Sequence, residues 1–295
     1  MHKTRIEFKC PEYYDLETTC HAHGWKSLSP FSWNDSEISL EYAINYNGVS
    51  VDVMTKQIDN CIEAELFTHK KLNSTDQKKI EKMIIRSLGL NIDVDKLLSK
   101  AEKIGPAYKK LVLNGSGRLL RSPSIWEDTV KTLFTTNCTW ALTKKMCESA
   151  CSKIFSHPTP NGKYPFPSPK SFLKYVPEVL QEIIPVGYRA DYLWHISKSF
   201  SEKNIFEGLE DSGFDRRQSE VIFNDLRGFG RYATTHMLVL IGYYDFIPID
   251  TEVTSFLKSE YRVRKPESFI KRHYKKWGDQ MWWGYKFDKM LKKLN

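Results

Sequence analysis

The apolar pattern of this chain changes period near residue 70, and this change constrains the fold more than any other feature. In the first 67 residues apolar and polar residues alternate in short runs, as in half-buried strands. One run covers 38–46, another begins at Val49, and a third covers 62–66. Asn47-Gly48 separates the first two runs and predicts a tight β-hairpin, because both residues tolerate a positive φ. A small antiparallel sheet is therefore expected at the start of the chain.

From residue 74 onward the apolar residues recur with the period of a helix. Ser74 or Thr75 is expected to cap a helix that ends at Gly89, and Ser122-Pro123 is expected to begin another. Further helical patterns cover 141–154 and, beyond five prolines within 157–169, resume near 170, 188, 218, 231, 251, 266 and 279. Strands followed by helices predict an α+β fold, with a small N-terminal sheet domain over 1–115 and a mainly helical region over 116–295. The last helix is expected to pack back on the first domain.

Composition and charge exclude several classes of protein. The chain has 41% apolar and 27% charged residues, which is ordinary for a globular protein and excludes collagen-like and low-complexity chains. Its net charge is +8, and residues 258–295 hold 12 basic and 4 acidic side chains, so this segment carries the whole excess. A basic segment favours a polyanion as partner, although many proteins of such charge bind none.

The six cysteines indicate a reducing compartment. They include no CxxC motif, and the first residues lack the apolar segment of a secretion signal. No apolar run approaches the 18 or so residues that a membrane-spanning helix needs. We therefore expect an intracellular protein with free thiols, without a membrane span.

A glycine pair between two helical patterns is the strongest functional signal. The segment Leu226-Arg227-Gly228-Phe229-Gly230-Arg231-Tyr232 predicts a tight turn whose backbone N–H groups are unshielded and can hold an anion at the start of the next helix. Taken alone, the glycine pair is a weak signal, and a plain helix–helix turn is the better interpretation of the segment. Asp250 follows 20 residues after Gly230, where it can cap a helix or act as a functional carboxylate.

These residues resemble a known family. The segment from Leu226 to Asp250 resembles the helix-hairpin-helix glycosylase superfamily, whose hairpin is followed by an essential aspartate. Gly187-Tyr188-Arg189-Ala190, and Gly117 to Arg121 together with Thr135-Thr136-Asn137, are similar to segments of the 8-oxoguanine glycosylases. The stretch from Tyr14 to Gly24 resembles the N-terminal part of other members. The resemblance implies a sheet-containing N-terminal domain and a two-lobed helical body, with double-stranded DNA lying across the cleft.

The resemblance also implies roles for single residues. Gly228 and Gly230 would present amides to a DNA phosphate, with Phe229 and Arg231 completing the hairpin. Asp250 would be the catalytic carboxylate, since cleavage of the base–sugar bond leaves a positively charged sugar. Tyr188 would fill the gap that the flipped base leaves. Asn137 and Arg189 would face the orphaned partner base; a helix-capping Asn, a core Tyr and a solvated Arg are the alternative interpretations.

Departures from the family pattern limit the activity. Bifunctional members carry a lysine where this chain has Tyr232, and an aromatic residue there resembles the bacterial 3-methyladenine glycosylase II. The resemblance therefore implies hydrolysis by water without lyase activity. No cysteine follows Cys151, so an iron–sulfur cluster is not expected, and no cofactor is predicted. Leu142 stands where an arginine facing the orphaned cytosine is expected.

The base pocket is less well defined by the sequence. His236 and Tyr285 stand at positions that would contact the base. His21 and His23 would share one face of a strand and could line the pocket, or could be partly buried strand residues. Trp282 could stack on a flipped base or belong to the core. Cys20, His21 and His23 do not complete a metal site, because no second half of suitable spacing follows.

The sequence thus predicts a monofunctional DNA glycosylase, acting as a monomer on a modified base in duplex DNA. An oxidised purine, an alkylated purine and a bulky modified pyrimidine of phage DNA all remain candidate substrates, the last in phage defence rather than repair. The alternative is a DNA-binding protein that uses the hairpin and performs no chemistry.

Overall fold

Five antiparallel strands form one sheet in the order β1-β5-β4-β3-β2. The computed structural model describes residues 1–155, 157–202 and 215–294. The strands are β1 His2–Lys9, β2 Ser32–Asn34, β3 Ser39–Tyr46, β4 Val49–Ile58 and β5 Cys61–Thr68. Tyr46 pairs with Val49, and Asn47 and Gly48 between them have φ of 48° and 78°, so the predicted hairpin is confirmed. β1, which the pattern did not reveal, pairs with β5 along its whole length.

Helices make up most of the chain after the sheet. The α-helices are α1 Leu16–His21, α2 Ser74–Leu88, α3 Asp95–Ile104, α4 Pro106–Leu113, α5 Ile125–Thr135, α6 Trp140–Ile154, α7 Pro169–Phe172, α8 Pro177–Ile183, α9 Arg189–Glu202, α10 Arg216–Asn224, α11 Arg231–Leu240, α12 Thr251–Tyr261, α13 Pro266–His273 and α14 Met281–Leu294. Within the part of the chain that the structure describes, 3₁₀ helices cover Gly24–Ser27 and Lys275–Gln280. The α+β class is confirmed. Within the described ranges, no helix combines the length and the apolar character needed to cross a membrane.

Two helix starts differ from the predictions because other residues supply the caps. Asn73 caps α2, its side chain accepting a hydrogen bond from Asp76 N at 2.8 Å, so the prediction of Ser74 or Thr75 was wrong by a residue or two. Helix α5 begins at Ile125 behind the cap Ser124, and not at Ser122-Pro123. Ser122 N instead donates to the buried Asp128 carboxylate at 2.9 Å, which holds this residue outside the helix.

His21 and His23 do not lie on a strand, so that expectation was wrong. His21 ends the short helix α1, and His23 precedes the first 3₁₀ helix. The cause is Asp15, whose side chain accepts a hydrogen bond from Thr18 N at 2.6 Å and starts a helical turn.

Helix α5 is the centre of the helical region. Its residues from Ile125 to Phe134 are all buried, and it contacts α6, α9 and α11. Even Lys131 is enclosed: its Nζ lies 2.6 Å from Glu127 and 4.4 Å above the ring of Phe31, which belongs to the N-terminal part. This enclosure fixes α5, and its C-terminal end therefore provides a rigid wall for the site described below.

The C-terminal helix packs against the first part of the chain. Tyr108 of α4 donates a hydrogen bond to Asp288 of α14 at 2.7 Å. The ring of Tyr108 also meets Trp277 edge to face, with 5.3 Å between centroids. Residues on both sides of the predicted domain boundary between 115 and 116 take part in this contact, and the boundary itself stays a prediction.

Candidate active site

The hairpin between α10 and α11 contains two glycines, and the backbone geometry at the first of them, Gly228, requires glycine. Gly228 has a φ of 85°, and a Cβ built on it would lie 2.3 Å from the ring of Tyr192. Phe229 is buried beneath the turn, with its N–H donating to Leu226 O at 3.0 Å. The tyrosine and the buried phenylalanine therefore fix the backbone of the hairpin from below.

Gly230 leaves the start of α11 open. A Cβ on it would meet no atom of the described residues within 4 Å. Gly230 is the N-cap of α11, and among the described residues no side chain caps the amides of the first turn. Arg231 is exposed beside it. Uncapped amides, a helix N-terminus and an arginine together form a surface suited to an anion.

Asp250 both caps a helix and lines a cavity. Its carboxylate accepts a hydrogen bond from Val253 N at 2.7 Å, which is the capping role that the sequence allowed. Burial raises the pKa of this carboxyl, while the hydrogen bond and the nearby charges of Lys289 and Lys286 act in the opposite direction. A carboxylate that is partly withdrawn from water exerts a stronger field than one on the surface.

The cavity has a volume of about 1050 Å³ and joins most of the predicted site residues. Its lining includes the predicted residues His23, Asn137, Tyr188, Gly228, Gly230, Arg231, Tyr232, His236 and Asp250. Thr135 and Thr136 at the end of α5 and Ile249 before Asp250 complete much of the wall. Residues that are far apart in sequence thus surround one space, with the hairpin and the carboxylate on the same cavity.

One wall of the cavity is aromatic and neutral. The ring of His236 stacks on Tyr232, with 5.8 Å between centroids, and lies 5.2 Å from Trp25 and 6.4 Å from His23. Burial lowers the pKa of His236 to about 4 and that of His23 to about 3. Burial raises the pKa of Tyr232 to about 12. Near neutral pH these groups are therefore uncharged.

Two of these groups differ in their hydrogen bonding. His23 Nε2 bonds to Leu120 O. His236 Nε2 is buried and has no hydrogen-bond partner among the described residues.

The rim of the cavity carries Asn137, which is predicted to face the partner base, and Tyr188, which is predicted to fill the gap left by the flipped base. Asn137 is exposed and has a φ of 47°, and Tyr188 is 52% exposed. Arg189 is buried instead of exposed and lies behind the rim: its guanidinium donates to Thr136 O and Asn137 O and lies 4.6 Å from the Tyr188 ring centroid. In this structure Arg189 holds the loop that carries Asn137.

Besides Arg189, four predicted residues lie outside the cavity lining. Phe229 is buried under the hairpin, and His21 is exposed, with its ring edge-to-face on Trp33 at 5.2 Å. Trp282 is buried and stacks on Tyr244, with 6.0 Å between centroids. Tyr285 is buried near Asp250, whose charge raises the pKa of the phenol in addition to the effect of burial. The hairpin role of Phe229 and the base-pocket roles of the other three residues stay predictions.

The sequence did not single out several lining residues. Trp25, Cys138, Trp140, Thr143 and Tyr192 all border the cavity. Tyr192 stands four residues after Tyr188, so helical spacing could have placed both on one face. Trp140 follows Asn137 by three residues, and its proximity to that residue was the available signal. Among the described residues, no group of three His, Cys, Asp or Glu side chains is arranged to hold a metal ion.

Known proteins resemble this chain more extensively in structure than in sequence. No family model matches the chain. A curated 8-oxoguanine DNA glycosylase/AP lyase of Picrophilus torridus is 26% identical over 102 residues, which cover 33% of this chain and 47% of that protein. The chain thus matches about half the length of this relative.

Solved structures match over nearly the whole chain. MBOgg1 in complex with a low-affinity DNA ligand has a TM-score of 0.71 and 19% identity, covering 99% of this chain and 100% of the other. The 3-methyladenine DNA glycosylase of Archaeoglobus fulgidus has a TM-score of 0.73 and 16% identity, covering 96% of each chain. The apo 8-oxoguanine glycosylase/lyase of Clostridium acetobutylicum has a TM-score of 0.71 and 14% identity, covering 97% of this chain and 96% of the other.

The chain has the helix-hairpin-helix glycosylase fold. The resemblance stated from the sequence motifs is thereby confirmed at the level of fold. At these identities the likeness concerns the architecture alone.

Proposed function

We propose that this chain is a monofunctional DNA glycosylase that hydrolyses the bond between a modified base and its sugar in duplex DNA. The observation that carries the proposal is that Asp250 and the hairpin glycines border one cavity. A phosphate held at the hairpin brings a nucleotide beside this carboxylate. Two structures of the same fold, MBOgg1 and the Clostridium acetobutylicum enzyme, were determined with DNA, which supports DNA as the partner.

Binding begins at the open start of α11. The amides near Gly230 and the charge of Arg231 hold a phosphate oxygen without reading the sequence. The target base leaves the stack at a cost of a few kcal/mol. Tyr188, with half of its surface exposed on the rim, fills the space left in the duplex.

The cleavage step uses the carboxylate of Asp250. As the bond from C1′ to the base nitrogen breaks, the electron pair leaves with the base and the sugar becomes positively charged. The Asp250 carboxylate stabilises this charge and orients the water that adds to C1′. The oxygen of this water stays on C1′ as a hydroxyl group, and a proton of the water passes to the departing base. The products are a free base and an abasic site.

The absence of lyase activity is proposed from Tyr232. A lyase needs an amine that attacks C1′ and forms a Schiff base. Tyr232 stands at the family position of that lysine and is a neutral phenol, with its pKa raised to about 12. Borohydride should therefore trap no covalent complex between the protein and DNA, and a trapped complex would contradict this part of the proposal.

The substrate is an oxidised or alkylated purine, or a bulky modified pyrimidine as in phage DNA, and the protein is proposed to act as a monomer without a cofactor. Incubation with a panel of modified duplexes, including phage genomic DNA, followed by alkali identifies which base is removed. The runner-up is a DNA-binding protein without catalysis, and it is favoured by one observation: Asp250 already has a complete structural role as a helix cap.

Replacing Asp250 with Asn separates these two functions of the residue. Asn caps helices as well as Asp does, so Asp250→Asn should keep the bond to Val253 N and the fold. It removes the negative charge, so abasic-site formation should fall by at least about a hundredfold. Affinity for unmodified duplex, which depends on the hairpin, should change little. If Asp250→Asn retains full activity, the catalytic assignment is wrong; if no duplex in the panel is cleaved by the native chain, the runner-up stands.

A further inference from the structure

Trp140 is an exposed aromatic residue on the cavity, and the proposed mechanism gives it no role. It is the first residue of α6 and borders the cavity three positions after Asn137. Its side chain is 40% exposed, whereas Trp25 on the same cavity is 2% exposed. Trp25 therefore lies at the inner end of the cavity and Trp140 at its entrance.

A glycine of the N-terminal part of the chain fixes the position of this indole. A Cβ built on Gly24 would lie 2.6 Å from two ring atoms of Trp140, so the ring rests directly on the backbone there. The neighbours of Gly24 are His23 and Trp25, which belong to the neutral wall of the cavity. Trp140 thus connects the rim that carries Asn137 to the wall that would receive a base.

Exposure of so large a ring has a cost unless a ligand covers it. A tryptophan contributes most when its apolar surface is buried, and exposed aromatic rings in nucleic-acid sites stack on bases. Tyr188, the other strongly exposed aromatic on this cavity, is already proposed to fill the duplex. Among the described residues that line the cavity, the indole of Trp140 is the other strongly exposed aromatic surface.

We propose that Trp140 is a further substrate-contacting residue, which stacks on the extruded base at the cavity entrance, and that Gly24 sets the position of its ring. This inference rests on the proposed function, because it requires a base that leaves the duplex. It assigns a contact with the base to a residue that lies outside the hairpin.

The test measures binding and needs no cleavage. Every protein carries Asp250→Asn, and two duplexes of one sequence are compared: one holds a mismatched 2-aminopurine, and the other holds an abasic-site analogue at the same position. Trp140→Ala should weaken binding of the first duplex about fivefold or more relative to the second, because only the first offers a base for stacking. Trp140→Phe, which keeps an aromatic ring, should retain most of the preference for the 2-aminopurine duplex over the abasic one.

Two further variants define the control and the role of Gly24. Tyr164→Ala removes an aromatic side chain of similar exposure, 36%, from outside the cavity lining and should leave the preference unchanged. Gly24→Ala should lower the preference in the same direction as Trp140→Ala, since its methyl group displaces the ring. Urea unfolding of each variant confirms that it is folded.

The outcomes distinguish this inference from the proposed function. The stacking role is wrong if Trp140→Ala weakens binding of both duplexes equally, or if it lowers the preference for the base-containing duplex no more than Tyr164→Ala does. This holds even where the native chain excises a base. If the preference depends on Trp140 but the native chain cleaves no duplex in the panel, the stacking role stands and the proposed chemistry fails.

Discussion

Two histidines at the cavity show how single residues set the charge of the site. His236 and His23 lie in a space that we assign to DNA, yet burial keeps both imidazoles neutral, with pKa values of about 4 and 3. They therefore provide stacking surface and hydrogen-bonding atoms without adding positive charge. The net positive charge of the chain lies instead in residues 258–295.

The neutral histidines predict how stability depends on pH. In the unfolded chain a histidine titrates near pH 6.5, so between about pH 4 and 6.5 the unfolded chain binds more protons than the folded one. The free energy of unfolding should therefore fall as the pH drops through this window. His236→Phe keeps a ring against Tyr232 and removes the proton-binding site. The decrease in the free energy of unfolding between pH 7 and pH 5 should therefore be smaller in this variant by up to about 2 kcal/mol. Urea unfolding at the two pH values measures this, and an unchanged pH dependence would show that His236 is not buried as a neutral group.

At the scale of the element, the hairpin uses its two glycines differently. Gly228 needs both its positive φ and the absence of a Cβ against Tyr192, whereas Gly230 has an ordinary φ and faces open space. Gly228→Ala should therefore reduce the free energy of unfolding by about 2 kcal/mol or more. Gly230→Ala should reduce it by less than about 1 kcal/mol.

The same pair separates stability from DNA binding. A methyl group at Gly230 would occupy the space through which a phosphate approaches the amides, so affinity for unmodified duplex should fall about tenfold although the protein stays folded. Fluorescence anisotropy with a labelled duplex, alongside urea unfolding, measures both quantities. Unchanged affinity for Gly230→Ala would mean that the hairpin does not hold a phosphate.

Elements with strong local signals could be predicted from the sequence, and those set by distant contacts could not. Asn47-Gly48 between alternating runs determines its hairpin locally, and the two glycines determine the turn at 228–230. The start of α5 could not be placed, because Ser122 is held outside the helix by Asp128, six residues further along. Arg189 was recognised by its motif, but its burial against Thr136 O depends on a contact across 53 positions of the chain.

The cavity itself follows the same rule. Asp250 and the hairpin were found because the residues flanking them carry the family pattern. Trp25 and Trp140 were missed because they approach the cavity from parts of the chain that are far from the hairpin in sequence. No periodicity within either segment encodes that approach.

At the scale of the whole molecule, a buried carboxylate of the last helix connects helix α4 to the C-terminal helices. Asp288 of α14 accepts hydrogen bonds from Tyr108 at 2.7 Å and from Tyr261 at 2.9 Å, and its carboxylate lies 3.2 Å from His273 Nε2. Burial, together with the carboxylate, raises the pKa of Tyr108, so this phenol stays a donor. Helices α4, α12, α13 and α14 therefore meet at one side chain that is 5% exposed.

Removing this carboxylate should destabilise the whole chain in a single transition. Asp288→Ala leaves two hydroxyl groups and an imidazole without their acceptor, and the free energy of unfolding should fall by about 3 kcal/mol. Tyr108→Phe removes one of these bonds and should reduce it by about 1 to 2 kcal/mol. Asp279→Ala, which removes an exposed carboxylate between α13 and α14, should change it by less than about 0.5 kcal/mol. Urea unfolding followed by circular dichroism and by tryptophan fluorescence should give coincident curves for all three, because Tyr108 joins helix α4 of the N-terminal part to the last helix. Separate transitions in the native chain, or an equal cost for Asp288→Ala and Asp279→Ala, would mean that the C-terminal helix does not hold the two parts of the fold together.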